Sequence, residues 1–260
     1  MSAACPPDLV DLAGRLADAA AAIVRPRFRV PIAVDIKSDA SPVTEADREA
    51  ELAMRRLIEA ERPDHGVQGE EFGRRDGAGE WHWILDPIDG TKSFVTGSTM
   101  FGTLIALTRR GEAALGLLDQ PITNERWLAH GDAPTTLNGK PVRSRACGRL
   151  GDAVVFTSGL EYFRGDDKRA AFDRLYDATR FTRFSGDCYA VGLLAMGFVD
   201  IVVEGAMHVH DFAALVPIVE NAGGRISDWQ GRPLDMQTPG EVVAVGDPAL
   251  HEAVIDVLAG

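Results

Sequence analysis

Cysteine is scarce in this sequence of 260 residues, which contains only Cys5, Cys147 and Cys188. No two of them form a CxxC pair, so the sequence predicts neither a framework of disulfides nor a zinc ribbon. A few isolated cysteines are typical of a reducing compartment. We therefore expect the protein to be cytoplasmic.

Basic residues are also in short supply. The chain has 27 lysines and arginines against 39 aspartates and glutamates, for a formal net charge of -12. Nucleic acids and anionic membranes attract clustered Lys and Arg, so neither is an expected partner. An acidic protein can still bind an anionic small molecule if metal cations lie between the two.

Long apolar runs are missing as well. The alanine-rich stretch near the N-terminus is interrupted by Asp11, Arg15 and Asp18, and the residues before it carry no basic cluster. The sequence therefore predicts neither a signal peptide nor a membrane span.

Residues 1–144 have the pattern of an α+β unit. Apolar residues at spacings of three and four predict a helix over 8–24 and a second over about 44–60, where Thr44 and Asp47 resemble a capping box. The segment GRRDGAGE reads as a loop. Strands are predicted for the segments WHWIL, GTLIALT, EAALGLLDQ and ERWLAHG.

Residues 145–260 change to strands alternating with helices, which is the pattern of an α/β unit. The predicted strands are AVVFTS, VDIVVE and EVVAVG, with helices near 167–179, near 188–197, from Asp211 and at the C-terminus. Pro217 lies inside the helix from Asp211, where its missing N–H predicts a kink or a shifted boundary. We therefore expect two subdomains that meet after residue 144.

Three acidic segments lie at the edges of apolar elements: GEEFG with Glu70, DPIDGT with Asp86 and Asp89, and HVHDFAAL with Asp211. Each acid alone could be a solvated charge, a turn former or a helix N-cap. Carboxylates packed together repel strongly unless cations lie between them, and all-oxygen ligands favour Mg²⁺ or Mn²⁺. If the fold brings these segments together, we expect a metal site.

The segment DPIDGT ends in Gly90 and Thr91, where a helix could begin. Glycine lets the backbone approach a ligand closely, and free N–H groups at a helix start attract phosphate. The segment therefore predicts a corner for both metal and phosphate. The spacing of DPIDGT fits neither an EF-hand nor the DxDGT motif of aspartyl phosphatases of the haloacid dehalogenase type. Elsewhere in the chain, GDAPTTLNGKP is not a P-loop, because Pro141 occupies the position of the required Ser or Thr.

Taken in order, these residues resemble the inositol monophosphatase superfamily. The resemblance rests on GEE, on WILDPIDGT, on a WDxAA-like stretch around Asp211 and on AGG at 222–224, and it covers essentially the whole chain. It implies an α/β protein with a layered αβαβα sandwich, usually dimeric. Such proteins hydrolyse small phosphate monoesters with Mg²⁺ and are often inhibited by lithium.

The resemblance implies ligands for two or three Mg²⁺ ions, with Mn²⁺ as a substitute. Glu70, Asp86 and the carbonyl of Ile88 would hold the first ion. Asp86, Asp89 and Asp211 would hold the second. A third, weaker ion would share Glu70, which gives this residue a part in catalysis.

The same resemblance implies how phosphate and water are held. The N–H groups of Gly90 and Thr91 would bind phosphate, while the Thr91 hydroxyl and Asp47 would orient the attacking water. Asp47 would then be both a helix cap and a catalytic residue.

The chain departs from the family pattern just before the last metal aspartate. The family usually has Trp there, whereas this chain has His210, with His208 two residues earlier. A histidine-rich metal site is one interpretation, but two histidines lack the remaining ligands of a zinc hydrolase. We therefore expect His210 to form part of the pocket wall.

Asp187 and Glu204 are the residues that the resemblance places beside the alcohol of the substrate. The stretch GDCY around Asp187 resembles the histidinol-phosphatase branch, since inositol phosphatases commonly have a small residue at that position. Histidinol carries an ammonium and an imidazole, which suit an acidic wall. The alternative is that Asp187 only caps the helix that follows.

We therefore expect a Mg²⁺-dependent phosphomonoester hydrolase that acts on L-histidinol phosphate in histidine biosynthesis. Inositol 1-phosphate is the alternative substrate, and a non-catalytic metal-binding regulator with the same fold is a third hypothesis. The expected partners are a small phosphate monoester and a second copy of the chain in a homodimer.

Overall fold

The computed structural model of the protein describes residues 5–31, 33–36, 42–235 and 238–260. Within these residues, no helix is both long enough and apolar enough to cross a bilayer.

Two long helices, α1 (Pro7–Val24) and α2 (Glu45–Glu61), confirm the predictions for the N-terminal region. The Thr44 hydroxyl accepts the N–H of Ala46, and the Asp47 carboxylate accepts the N–H of Thr44 at 2.8 Å. These bonds close the predicted capping box, so Asp47 does cap α2.

Ahead of α2 lies a short hairpin of β1 (Val34–Ile36) and β2 (Pro42–Thr44). The first large sheet then contains β3 (Gly66–Gly69), β4 (Gly73–Arg75), β5 (Trp81–Asp89), β6 (Gly102–Arg109), β7 (Glu112–Gln120), β8 (Glu125–His130), β9 (Thr136–Leu137) and β10 (Lys140–Pro141). Their order is β10-β9-β8-β7-β6-β5-β3-β4, with β3 and β5 parallel and the other neighbours antiparallel. Helix α3 (Thr91–Val95) follows β5.

The loop predicted at GRRDGAGE is wrong in its first three residues. These form β4, whose Arg74 lies opposite Gln68 of β3. This pairing is local, because β4 follows β3 after residues 70–72 and supplies hydrogen-bond partners on the side of β3 that faces away from β5.

The second sheet contains β11 (Val154–Thr157), β12 (Phe181–Phe184), β13 (Ile201–Glu204), β14 (Arg225–Asp228) and β15 (Val242–Val245). Their order is β12-β11-β13-β15-β14, with β12, β11 and β13 parallel and the other pairs antiparallel. The helices of this half are α4 (Asp166–Ala178), α5 (Asp187–Ala195), α6 (Val209–Phe212), α7 (Leu215–Asn221) and α8 (His251–Ala259).

The helix predicted from Asp211 is divided into α6 and α7, which confirms the expected shift of boundary. Pro217 lies in the first turn of α7, where backbone N–H groups have no partner inside the helix. Its missing N–H therefore costs α7 nothing.

Five layers result. Helices α1 and α2 cover one face of the first sheet, α5 and α7 fill the space between the sheets, and α4 and α8 cover the second sheet. The middle layer packs Leu194 and Ile218 against Ile84 and Leu104 of the first sheet and Val202 of the second. This is the predicted αβαβα sandwich, and the apolar layer between the sheets spans both halves of the chain. The subdomains that we expected to meet after residue 144 remain a prediction.

Candidate active site

A cavity of about 380 Å³ opens between the two sheets. Most of the predicted site residues line it, drawn from the turn after β3, the end of β5, the start of α3, the start of α5, the end of β13 and α6. They are Glu70, Asp86, Ile88, Asp89, Gly90, Thr91, Asp187, Glu204 and Asp211. Asp47 lies behind this lining and contacts it through Thr91.

A bulge at the end of β5 explains the spacing of the two aspartates in DPIDGT. Side chains alternate along a regular strand, so residues three apart would face opposite sides. Here Asp86 lies opposite Leu104 but Asp89 lies opposite Gly102, so β5 contains one residue more than β6. The Thr103 hydroxyl donates a hydrogen bond of 2.8 Å to the Pro87 carbonyl within the bulge. The extra residue turns both aspartates toward the cavity.

The acids from three segments meet at this point. Asp86, Asp89 and Asp211 have carboxylate oxygens within 4.8 Å of one another, and an overlapping cluster at the same spacing joins Asp86 to Glu70 and His210. Backbone N–H groups hold Asp89 and Asp211 in place. The N–H of Cys188 donates to Asp89 at 2.7 Å, and that of His208 donates to Asp211 at 2.6 Å.

Burial and mutual repulsion make this cluster costly when it is fully ionised. The pKa of Asp86 is raised well above the ordinary value, first by burial and then by the charges of Glu70, Asp89 and Asp211. The pKa of Asp89 is also raised well above that value, first by burial and then by Asp211. The cluster therefore favours either bound protons or bound cations.

Glu51 is a residue that the sequence interpretation missed. It is completely buried and accepts the N–H groups of Glu71 at 2.7 Å and Phe72 at 3.2 Å. These bonds hold the turn that carries Glu70 into the cluster. The one available signal was its position four residues after Asp47, on the same face of α2.

The phosphate corner begins at Gly90, whose φ of 85° lies in the left-handed region. A side chain there would also be crowded, because a Cβ atom would lie 3.0 Å from the side chain of Asp187. Both observations explain why glycine occupies this position.

The next residue, Thr91, connects this corner to Asp47. Its hydroxyl donates to the carbonyl of Ile88 at 3.1 Å and lies 3.4 Å from Asp47 Oδ1. Burial raises the pKa of Asp47, although the hydrogen bonds from Thr44 act in the opposite direction. A buried carboxylate with a raised pKa is a stronger base than an exposed one.

The second half of the chain contributes Asp187 and Glu204 to the cavity lining, and Asp187 lies next to the phosphate corner. The N-cap of α5 is Gly186, and Asp187 is the first helical residue, with its carboxylate accepting the Ser93 hydroxyl at 2.7 Å. The alternative that Asp187 only caps this helix is therefore wrong. Glu204 Oε1 accepts both the N–H and the hydroxyl of Ser158, at 2.8 and 2.9 Å. Burial is the main cause that raises the pKa of both carboxyls.

The cavity mouth contains charged residues that the sequence interpretation also missed. Lys92 Nζ lies 2.8 Å from Glu161 Oε1 and 4.5 Å from the centre of the Tyr162 ring. No sequence pattern predicts that Glu161 and Tyr162 belong to the site. They reach the cavity only because the fold places the turn after β11 beside α3.

Comparison with known proteins agrees with this architecture. The model of the inositol monophosphatase family matches residues 8–259. The chain belongs to the inositol monophosphatase family. A protein named bifunctional phosphatase IMPL2 from Arabidopsis thaliana is 42% identical, over 94% of this chain and 72% of its own length. A histidinol-phosphatase from Chlorobaculum parvum is 38% identical, over 87% of each chain. The solved structure of an inositol monophosphatase from Zymomonas mobilis is 46% identical, with a TM-score of 0.88 over 97% of this chain and 98% of that one.

Membership of this family makes the chain a phosphatase that acts on phosphate monoesters, and its acidic cluster fits the divalent cations that the family resemblance implies. Three carboxylates with mutually facing oxygens form an all-oxygen donor set, which hard cations such as Mg²⁺ prefer. The pKa of Asp86 is raised first by burial and then by repulsion from Glu70, Asp89 and Asp211, and a bound cation would offset this repulsion.

Proposed function

We propose that this phosphatase hydrolyses L-histidinol phosphate with the help of two or three Mg²⁺ ions. The observation that carries the choice of substrate is Asp187. Its carboxylate is partly buried beside Gly90, does not cap its own helix and is held by Ser93. A second acid, Glu204, lines the same cavity. An acidic wall of this kind suits an alcohol that carries an ammonium group.

We assign the metal ligands as the family resemblance implies. Glu70, Asp86 and the Ile88 carbonyl would hold one ion, and Asp86, Asp89 and Asp211 a second, with a third weaker ion sharing Glu70. Mn²⁺ would be accepted in place of Mg²⁺, since it also prefers oxygen ligands. The bound ions would supply positive charge to the phosphate and lower the pKa of water.

Thr91 and Asp47 would orient the water that attacks phosphorus. The Thr91 hydroxyl would accept a hydrogen bond from that water and turn its own proton from the Ile88 carbonyl to Asp47 Oδ1, 3.4 Å away. As the water loses its proton to Thr91, the hydroxyl proton of Thr91 would pass to Asp47. The raised pKa of Asp47 suits this task. The N–H groups of Gly90 and Thr91 would hold the phosphate oxygens during the attack.

Water would attack in line, so the bond from phosphorus to the alcohol oxygen breaks as the new bond forms. The products are inorganic phosphate and the free alcohol, which takes up one proton. No covalent enzyme intermediate forms, in agreement with the spacing of DPIDGT.

The alcohol would lie against Asp187 and Glu204. Each carboxylate already accepts a serine hydroxyl, from Ser93 and Ser158 respectively, which fixes its direction. An ammonium close to both would favour their ionised forms and offset the cost of burying them.

Inositol 1-phosphate is the second candidate. The observation that favours it is the 46% identity to the inositol monophosphatase from Zymomonas mobilis, which exceeds the 38% identity to the Chlorobaculum parvum histidinol-phosphatase. The hypothesis of a non-catalytic regulator is weaker, because the chain contains every residue that the proposed reaction uses.

Phosphate release from a panel of esters tests the proposal. With Mg²⁺ present, we expect the highest kcat/KM for L-histidinol phosphate, a lower value for inositol 1-phosphate and the lowest for glycerol 2-phosphate. Higher kcat/KM for inositol 1-phosphate would replace our first candidate by the second. Absence of turnover with every ester would favour the regulator.

We also propose that the chain works as a homodimer in the cytoplasm. Exposed aromatic side chains on and near the edge strand β12, namely Tyr176, Phe181 and Phe184, support self-association. Light scattering coupled to size-exclusion chromatography should give about twice the chain mass. A monomer at micromolar concentration would contradict the homodimer.

A further inference from the structure

His210 lies where a nitrogen atom can join the acidic cluster. A nitrogen of its ring and carboxylate oxygens of Glu70 and Asp86 all lie within 4.8 Å of one another. The His210 Nε2 atom is also 3.4 Å from Asp211 Oδ1, and only 15% of the side chain is exposed. The imidazole therefore faces the cluster rather than the solvent.

We infer that Glu70, Asp86 and His210 form a mixed oxygen and nitrogen site that binds Zn²⁺ in preference to Mg²⁺. Ligand atoms at about 2.0–2.2 Å from one tetrahedral Zn²⁺ ion lie about 3.3–3.6 Å apart, so side-chain rotations that close the trio by about 1 Å bring it into range. Imidazole suits Zn²⁺, whereas Mg²⁺ prefers oxygen ligands. This trio shares Glu70 and Asp86 with the proposed first Mg²⁺ site, so Zn²⁺ and Mg²⁺ would compete there.

The neighbouring His208 helps to keep the His210 ring in place. The two rings stack with their centres 5.3 Å apart and their planes at 26°. His208 itself is exposed, and its backbone N–H holds Asp211 at 2.6 Å. An aromatic residue at 210 could form the same wall and the same stack, but it could not offer a nitrogen ligand.

The test compares metal binding by two variants that each lose one imidazole. His210→Phe keeps an aromatic ring but removes the nitrogen ligand, and His208→Phe is the matched control because His208 lies outside the trio. Metal-free full-length protein would be titrated in a calorimeter with ZnCl₂ and, separately, with MgCl₂. Circular dichroism would confirm that each variant is folded, and His210→Gln would replace His210→Phe if that variant does not fold.

We expect His210→Phe to weaken Zn²⁺ binding by about tenfold or more, since even groups that only support a ligand change metal affinity by about 10- to 100-fold. Mg²⁺ affinity should change by less than about threefold, because Mg²⁺ would gain little from the imidazole. His208→Phe should bind both metals as the wild type does.

Two outcomes would overturn the inference. One is equal Zn²⁺ affinity in His210→Phe and the wild type, and the other is an equal loss in His208→Phe. The inference rests on the proposed metal site, but the two fail separately. If the wild type binds no Mg²⁺, the proposed metal site fails, whereas normal Mg²⁺ binding with unchanged Zn²⁺ affinity in His210→Phe removes only the role of His210.

Discussion

Asp200 and Asp86 are equally buried, at 1% exposure, but the charges around them have opposite signs. Asp200 accepts the Arg145 guanidinium at 2.7 Å and the N–H of Val154 at 2.8 Å, so the fold itself neutralises its charge. Asp86 accepts the N–H of Ile88 and otherwise faces other carboxylates and the His210 ring. Among the described residues, no Lys or Arg forms an ion pair with Asp86.

This contrast separates acids that stabilise the fold from acids that the fold holds ready for a ligand. Neutralised acids contribute to stability, so removing one of them should lower the free energy of unfolding. Acids that face one another oppose folding until cations or protons bind them. The same contrast suggests how each set responds to substitution.

The largest effect is expected for Asp86→Asn. This change should lower kcat/KM with Mg²⁺ by about a thousandfold, since charge stabilisation by a metal is worth several kcal/mol. It should also raise the melting temperature of the metal-free protein by about 2 to 4 °C, because it removes a buried repelled charge. Phosphate release and thermal denaturation in EDTA would measure the two effects.

Asp173→Asn is the control for this variant, because Asp173 lies on the surface of α4 in an exposed pair with Arg169. It should leave turnover unchanged. An Asp86→Asn protein with wild-type turnover would contradict the metal assignment. A lower melting temperature in EDTA would show that Asp86 stabilises the fold as Asp200 does.

An intermediate effect is expected for Asp187→Asn. The change removes the charge but keeps an acceptor for Ser93, and Asn tolerates the positive φ of 41° at this position. A hydrogen bond to a charged group is worth about 1.5 to 3 kcal/mol, so kcat/KM for histidinol phosphate should fall by about ten- to a hundredfold. The value for glycerol 2-phosphate should change by less than about threefold. An equal fall for both esters would show that Asp187 does not recognise the ammonium.

Asp200→Ala should lower stability and leave Mg²⁺ binding unchanged, which is the reverse of the effect expected for Asp86→Asn. It leaves the partly buried N–H of Val154 and the Arg145 guanidinium without their acceptor, which should cost about 2 kcal/mol of unfolding free energy. Chemical denaturation would measure this loss, while calorimetric Mg²⁺ affinity should stay as in the wild type. Loss of Mg²⁺ binding without loss of stability would break the distinction between the two sets of acids.

The smallest effect concerns pH. The pKa values of Asp86, Asp89 and Asp211 are raised by folding, above the ordinary aspartate value of about 3.9. The protonated forms of these acids therefore stabilise the folded protein below about pH 3.9. This stabilisation is lost as the pH rises through the raised pKa values. Mg²⁺ binds the ionised forms, so it should raise the melting temperature more at about pH 8 than at about pH 5.5.

Thermal denaturation with Mg²⁺ and with EDTA at both pH values measures this difference. The Asp86→Asn variant is the control, since its melting temperature in EDTA should depend less on pH. Equal Mg²⁺ shifts at both pH values in the wild type would show that protons and Mg²⁺ do not compete for these acids.

Several features could be predicted from the sequence because their causes are local. The apolar spacing of α1 and the capping box of α2 act within one helix, and the turn between β6 and β7 follows from the strand pattern on either side. The motif DPIDGT identified the acids and the glycine of the site because its residue order is itself distinctive. The family and the layered fold followed from such motifs.

Tertiary structure alone decided the remainder, because the deciding contacts join residues far apart in the chain. Strands of four residues, such as β12 and β14, carry too few side chains for a pattern and depend on distant strands for hydrogen bonds. Asp187 was expected either to face the substrate or to cap a helix. In the structure Gly186 is the N-cap, and the Asp187 carboxylate instead accepts the hydroxyl of Ser93, 94 residues away. Likewise, Glu51 holds the turn that carries Glu70, and His210 reaches the acidic cluster, only when α2, β5 and α6 pack together. The sequence determined which acids this protein has, and the fold decided which of them would be neutralised and which would face one another.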